Sequence, residues 1–99
     1  MKVDITWRPN PLAAEQTALT IGAASVQLGA AINKQTYCLR ISGTGNFHYM
    51  VGVNAVATAK SPLLSAGQVE YVAISPGDTF AIIQEAASTG NVTVTEMTH

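Results

Sequence analysis

Short stretches in the second half of the chain alternate between hydrophobic and polar positions. In residues 36–42 the side chains of Leu39 and Ile41 fall on one face, and the same period of two recurs in residues 47–53 and 69–74. A period of two is typical of β-strands that bury one face. The pattern therefore predicts a strand in each of these stretches.

Turn residues separate the stretches and mark two further strands. Residues 75–78 read Ser-Pro-Gly-Asp, which predicts a type II turn with Gly77 at a positive φ. Residues 43–46 hold two glycines that accept a positive φ, which predicts a hairpin-type connection. Two β-rich segments complete this half of the chain, at residues 79–84, where both faces are apolar, and at residues 92–97.

The first third of the chain has weaker signals. In residues 1–16, Pro9 and Pro11 fix φ and remove backbone donors, which predicts an irregular, extended N-terminal arm. Three other segments have partial patterns: residues 17–21 predict a first strand, residues 23–29 alternate less cleanly, and residues 55–66 indicate a long loop or a short edge strand.

These elements predict an all-β fold of about seven or eight short strands. We expect a single jelly-roll-like sandwich over residues 17–99, preceded by the arm at residues 1–16. An antibody-type domain is not expected, because it needs two cysteines that frame a tryptophan and this chain has one cysteine. The larger apolar side chains of the strands are expected to form the core: Tyr37, Leu39, Ile41, Tyr71, Phe80, Ile82, Val92 and Val94.

Charged residues are scarce in this chain. Asp, Glu, Lys and Arg make up 11% of its 99 residues, against about 25% in typical soluble domains. A surface with few charges is less costly to desolvate, and the cores of protein interfaces are likewise depleted of charge. The composition therefore favours assembly against neighbours. The five basic residues are scattered and the net charge is −1, so nucleic-acid binding, which needs clustered cations, is not expected.

The first residues and the cysteine content indicate the compartment in which the protein is made. Met1, Lys2 and Val3 lead into no apolar signal core, and no run approaches the roughly 18 apolar residues of a membrane span. We therefore expect synthesis in a cytoplasm and no membrane insertion. A single cysteine, Cys38, excludes an intramolecular disulfide, and we expect it to be a small buried hydrophobic residue.

Few residues have the spacing that catalysis or metal binding requires. His48 has no histidine, cysteine or aspartate at ligand spacing, so we interpret it as an ordinary strand histidine. The Gly-Thr-Gly of residues 43–45 joins two strands, whereas phosphate-binding loops open a helix. Glu70 and Glu85 fall in different strands, and nothing in the sequence pairs them as a hydrolase would need. We expect no catalytic, cofactor-binding or metal-binding residue, and no enzyme.

The N-terminal arm is the candidate partner-binding segment. It contains Trp7, Arg8, Pro9 and Pro11. Tryptophan and arginine are enriched at binding hot spots, and the two prolines would hold the arm extended. The alternative is that Trp7 folds back over its own sheet.

An ordered set of short motifs carries a resemblance to a known family. The motifs are Leu39-Arg40-Ile41, His48-Tyr49-Met50-Val51-Gly52, Ala55-Val56-Ala57-Thr58, Pro62-Leu63-Leu64-Ser65-Ala66-Gly67, Glu70-Tyr71, Pro76-Gly77, Ile82-Ile83-Gln84 and Thr89-Gly90-Asn91-Val92-Thr93-Val94-Thr95-Glu96-Met97. In this order and spacing, residues 40–97 resemble the small virion structural proteins of tailed bacteriophages. The first 35 residues resemble no family that we can name.

The resemblance implies a function but no catalytic residues. It implies a bacteriophage capsid decoration, or cement, protein that is made in the host bacterial cytoplasm. Such a protein would bind the major capsid protein on the exterior of the virion as a homo-oligomer. The alternatives are another virion component, such as a head fibre base, a tail adaptor or a receptor- or carbohydrate-binding module in which Trp7, Tyr49 or Tyr71 stacks on a sugar, and a small enzyme.

Overall fold

The protein is an all-β sandwich. The computed structural model describes residues 7–13, 16–28 and 32–98. Within these residues it has nine strands and no helix. The strands are β1 (Arg8–Pro9), β2 (Thr17–Thr20), β3 (Val26–Gln27), β4 (Cys38–Gly43), β5 (Phe47–Gly52), β6 (Leu63–Leu64), β7 (Val69–Ala73), β8 (Thr79–Gln84) and β9 (Asn91–Thr98). The predicted all-β class is confirmed, and the strands found include each one that the alternating pattern predicts.

The strands form two antiparallel sheets. In sheet A, β9 lies between β4 on one side and both β1 and β2 on the other, and β7 pairs with the far side of β4. Sheet B has the order β3-β8-β5-β6. Residues 55–66, predicted as a long loop or a short edge strand, contain both, since β6 is the edge of sheet B.

Residues 43–46 cross from sheet A to sheet B, so the predicted hairpin is wrong. They join β4 to β5, which do not pair with each other. Neither Gly43 nor Gly45 has a positive φ. The glycine at position 45 has a steric reason instead, because a Cβ there would collide with the backbone carbonyl of Thr89. Gly45 is therefore explained by the close approach of the two loops that cross between the sheets, and not by a hairpin turn.

The core fills the space between the sheets. Side chains from both sheets form one buried cluster, which includes Leu39, Ile41, Val92 and Val94 of sheet A and Phe47, Phe80 and Ile82 of sheet B. Tyr49 of β5 stacks on Phe80 with ring centroids 6.2 Å apart. Of the eight predicted core residues, Leu39, Ile41, Phe80, Ile82, Val92 and Val94 are buried.

The two predicted core tyrosines are not buried, which corrects the prediction. Tyr37 is 47% exposed and Tyr71 is 49% exposed. Tyr71 lies opposite Arg40 in the register of β4 and β7, whereas the core residues Leu39 and Ile41 face Val72 and Glu70. The ring of Tyr71 is therefore on the outer face of sheet A, because directly paired residues share a face. Tyr37 lies outside the strand, immediately before the first residue of β4.

The turn at residues 75–78 has the predicted geometry. Gly77 has a φ of 89° and follows Pro76, and the Asp78 N–H donates to the Ser75 carbonyl at 3.0 Å. The Ser75 N–H in turn donates to the Asp78 carboxylate at 2.9 Å. A proline followed by a residue of positive φ inside such a bond defines the type II turn.

The loop at residues 53–62 covers the outer face of sheet B. Ala55 and Ala57 of the loop are buried with Ala81 of β8, and these small side chains allow the loop backbone to approach the sheet. The Ala55 N–H donates to Thr79 Oγ1 at 2.7 Å, and Gln27 Nε2 donates to the Ala55 carbonyl at 2.6 Å. The two outer faces of the sandwich therefore differ, because a loop lies over the outer face of sheet B.

Candidate interaction surface

Strand β7 pairs with β4 and with no other strand among the residues that the structure describes. The backbone bonds show which residues of β7 turn towards β4. The Ile74 N–H donates to the Tyr37 carbonyl at 3.1 Å, and the Gly67 N–H donates to the Gly43 carbonyl at 2.9 Å. On the other side of β4, the Thr44 N–H donates to the Asn91 carbonyl of the β9 segment at 2.9 Å. From Leu39 to Gly43, odd-numbered positions therefore bond to β7 and even-numbered positions bond to β9. Just before β4 this alternation is broken, because the Tyr37 N–H donates to the Met97 carbonyl of β9 at 3.0 Å.

Three residues of β7 turn their backbone away from the sheet. Because hydrogen-bonded and non-hydrogen-bonded pairs alternate in an antiparallel ladder, Glu70 and Val72 bond to their register partners on β4. Val69, Tyr71 and Ala73 then direct their N–H and C=O groups outward. We call these three residues the free edge.

The free edge carries apolar side chains and no charge. Val69 is 44% exposed and Tyr71 is 49% exposed. Edge strands are usually protected by lysine, proline, a bulge or a charged residue that points inward, and β7 has no lysine or proline but does have an inward-pointing charge. Its one charged residue is Glu70, which shares the inner face with Ile41. Burial, and next the Glu70 carboxylate, raise the pKa of Tyr49 on the facing sheet.

The side chains of the free edge continue onto the outer face of sheet A. In register they lie beside Arg40 and Ser42 of β4, and these beside Thr93 and Thr95 of β9. Ala18 of β2 lies next to Thr93 at the far side. Arg40 is the one charged residue in these rows, so most of this face consists of hydroxyl and apolar groups. Such a face is inexpensive to desolvate, which makes it the candidate interaction surface.

The predicted arm residues lie at the opposite edge of sheet A. Arg8 and Pro9 form β1, which pairs with Thr98 and Met97 of β9. Trp7 is half-buried and Pro11 is exposed. Because β9 and β4 lie between β1 and β7, the structure does not bring the arm and the free edge together. Residues 1–6 and 14–15 of the arm lie outside the described residues, and partner binding by the arm stays a prediction.

A buried polar group attaches the arm to the sandwich. The Asn10 N–H donates to the Glu96 carbonyl at 2.8 Å, and Asn10 Nδ2 donates to Thr36 Oγ1 at 3.0 Å. Thr36 Oγ1 donates in turn to Glu96 Oε1 at 2.7 Å. Asn10 and Thr36 are both buried. Sequence reasoning missed this network because nothing local relates positions so far apart in the chain.

His48 is a buried strand residue with two hydrogen-bonding partners. Its Nε2 lies 2.6 Å from Glu85 Oε2, and its Nδ1 lies 2.7 Å from the Ser61 carbonyl. The ring therefore lies between two acceptor oxygens, one from a side chain and one from the backbone. The contact to Ser61 uses its backbone oxygen, so these three residues do not form a serine–histidine–acid triad.

The remaining titratable candidates form no site. Cys38 is buried as predicted, and burial raises the pKa of its thiol, while a backbone hydrogen bond to Val72 lowers it less. In the described part of the chain, no group of three or more His, Cys, Asp or Glu residues is placed to hold a metal ion. The same residues contain no helix long and apolar enough to cross a membrane.

Comparisons with known proteins identify no relative of this chain. No family model matches it. No curated protein and no solved structure matches it either.

Proposed function

We propose that this chain is a bacteriophage capsid decoration protein that binds the major capsid protein on the exterior of the virion. The observation that carries the proposal is the outer face of sheet A, where Arg40 is the one charge among rows of threonine, serine and apolar side chains. A protein that packs against a shell over much of its surface benefits from such a face, because few ions lose their hydration. The motif order of residues 40–97 supports the same proposal.

The strand order supports a finer description of the fold, which we propose to be a jelly roll. From β2 to β9, each connection changes sheet except the one between β5 and β6. The two four-strand rows are β2-β9-β4-β7 and β3-β8-β5-β6. Eight strands in two antiparallel sheets of this kind are the jelly-roll arrangement, which occurs in viral capsid and lectin domains. Because one fold hosts many unrelated functions, the proposed function rests on the surface and not on the jelly roll.

A second candidate function is a carbohydrate- or receptor-binding module elsewhere in the virion, such as a head fibre base or tail adaptor. The exposed ring of Tyr71 beside Arg40 favours it, because tyrosine offers an apolar ring face and a polar tip. Of the other aromatic candidates for sugar stacking, Tyr49 stacks on Phe80 and is half-buried, and Trp7 is half-buried at the other edge.

Two measurements test the proposal. Electron cryomicroscopy of virions should show copies of the protein over the whole capsid surface, and density confined to the tail would overturn the capsid assignment in favour of the second candidate.

The second measurement uses purified protein added to capsids that lack it. Arg40→Glu should abolish binding, because it reverses the one charge of the outer face of sheet A. Lys60→Glu is the matched control, since it makes the same charge reversal on the exposed loop over sheet B. Equal binding by both variants would contradict a contact through sheet A.

A further inference from the structure

We propose that the free edge pairs with the free edge of a second copy of this chain, in an antiparallel ladder with its twofold axis at Tyr71. The pairing would join the two copies of sheet A into one continuous sheet. This inference rests on the backbone of β7 and does not depend on the proposed virion function.

The free backbone groups of β7 match themselves under a twofold rotation. The outward residues are spaced evenly at Val69, Tyr71 and Ala73, with Tyr71 at the centre. In an antiparallel pair centred there, Tyr71 faces the second copy's Tyr71, and Val69 faces the second copy's Ala73. Each of these pairs would exchange both hydrogen bonds, as the hydrogen-bonded pairs of an antiparallel ladder do. No outward N–H or C=O group of the strand would remain unpaired.

The side chains fit the same arrangement. The two Tyr71 rings would lie side by side on the outer face, each with Arg40 of its own copy behind it, where a guanidinium can stack on the ring. On the inner face, Glu70 would lie opposite the second copy's Val72. The two Glu70 residues would therefore be diagonal neighbours, with their backbones about 7–8 Å apart, and not directly opposed.

The two Arg40 side chains do not prevent the pairing. Each lies on β4, so three strand spacings separate them, or about 14 Å. This separation exceeds the Debye length of about 8 Å at physiological salt.

A second copy fits this edge better than an unrelated strand. The outward groups of β7 match those of a second copy residue for residue about Tyr71, and a twofold contact closes after two copies and does not propagate into fibres. A single strand pair is smaller than the standard interface of about 1,600 Å², so we expect a weak dimer that forms at high protein concentration.

Single cysteine substitutions test the register. Tyr71→Cys would place two cysteines directly opposite each other with a Cα separation of about 5.5 Å, which suits a disulfide. Under mild oxidation this variant should form a covalent dimer. Ala73→Cys alone should not, because its twofold mate would be about 14 Å away along the strand. The unmodified protein should also stay uncrosslinked, because Cys38 is buried.

A mixture of single variants provides the matched control for the Ala73 substitution. Val69→Cys and Ala73→Cys proteins, combined, should crosslink to each other at a rate at least tenfold above either protein alone. Equal crosslinking of Tyr71→Cys and Ala73→Cys would overturn the register. A Tyr71→Cys protein that stays monomeric in concentrated, oxidising solution would overturn the pairing and indicate a different partner for this edge.

Sedimentation equilibrium tests the same contact without a crosslink. Tyr71→Lys should raise the dissociation constant at least tenfold, because it places two ammonium groups opposite each other. Ala18→Lys is the control, since it adds the same charge on the outer face of β2 at the other edge of sheet A. A dimer that survives Tyr71→Lys, or that is lost equally in Ala18→Lys, would contradict the proposal.

Discussion

His48 Nε2 lies 2.6 Å from Glu85 Oε2 across the outer face of sheet B. The same ring bonds the Ser61 carbonyl through Nδ1 at 2.7 Å, so one side chain connects β5, the segment after β8 and the loop over sheet B. His48 is 6% exposed, and Glu85 is much more accessible to water. The histidine therefore holds the loop against sheet B, and the carboxylate holds the ring in place.

Removal of the His48 ring should destabilise the protein more than removal of the Glu85 charge. His48→Leu leaves the partly buried Ser61 carbonyl without this donor, and we expect it to lower the free energy of unfolding by about 1–3 kcal/mol. In Glu85→Gln the amide oxygen still accepts from Nε2, and water reaches the group, so the loss should be smaller. Urea denaturation of both variants makes the comparison. A larger loss in Glu85→Gln would mean that the charge, and not the ring, holds the loop.

Gly45 should tolerate no side chain, although its φ is ordinary. Gly45→Ala places a Cβ against the backbone carbonyl of Thr89, and backbone cannot move aside as a flexible side chain does. We expect a loss of about 1–3 kcal/mol, the range for overpacking. Gly22→Ala is the matched control, because a Cβ there meets nothing within 4 Å. Equal melting temperatures for the two variants would contradict the close approach of the two loops.

The core can be tested by truncation of its fully buried side chains. Leu39→Ala and Ile82→Ala should each cost about 2–5 kcal/mol, because both residues are 0% exposed and pack between the sheets. Val56→Ala removes apolar atoms from an exposed loop position and should change stability by less than about 0.5 kcal/mol. Chemical denaturation provides all three values. Losses below about 1 kcal/mol at both buried sites would mean that the faces of β4 and β8 are misassigned.

Two substitutions in the turn at residues 75–78 separate the effect of backbone strain on stability from the effect of a lost hydrogen bond. Gly77 has a φ of 89°, where a β-branched residue is penalised by roughly 1–3 kcal/mol. Asp78→Ala removes only the carboxylate that accepts from the Ser75 N–H. Gly77→Val should therefore lower the melting temperature more than Asp78→Ala. Equal shifts would argue against the type II geometry.

The elements that the sequence predicts well are those set by neighbouring residues. Alternation around Leu39 and Ile41 assigns a strand and its buried face, and Pro76 with Gly77 assigns a turn, because the physical causes lie within a few residues. The sheet to which a strand belongs depends on distant partners. For that reason residues 43–46 were predicted as a hairpin although they cross between the sheets.

The candidate surface depends on the same distant relationships. Alternation alone does not show that β7 is an edge strand, and so it assigned Tyr71 to the core. Its register with β4, opposite Arg40, moves the ring to the outer face. The pairing of His48 with Glu85 and the bonds of Asn10 to Thr36 and Glu96 likewise join separate segments, and residue type and spacing carry no signal for them.

The N-terminal arm is expected to contribute to the stability of the sandwich. The bonds of Asn10 to Thr36 Oγ1 and to the Glu96 carbonyl attach the arm to the end of sheet A. Asn10→Ala leaves the Thr36 hydroxyl without one buried partner and removes the acceptor of the Leu12 N–H. We expect it to cost about 1–3 kcal/mol in urea denaturation. Pro11→Ala, at the exposed neighbouring position, should cost less than about 0.5 kcal/mol.

This attachment changes how partner binding by the arm must be tested. A deletion of residues 1–11 would remove β1 and Asn10 together, so we expect it to lower the melting temperature, and a loss of binding would then have two explanations. Arg8→Glu is a smaller change, because Asn10 stays in place and the contacts of an exposed charged side chain contribute little to stability. If the arm contributes to the attachment, Arg8→Glu should weaken binding to capsids with a melting temperature within a few degrees of the unmodified protein. Unchanged binding in Arg8→Glu, together with lost binding in Arg40→Glu, would place the contact on the outer face of sheet A alone.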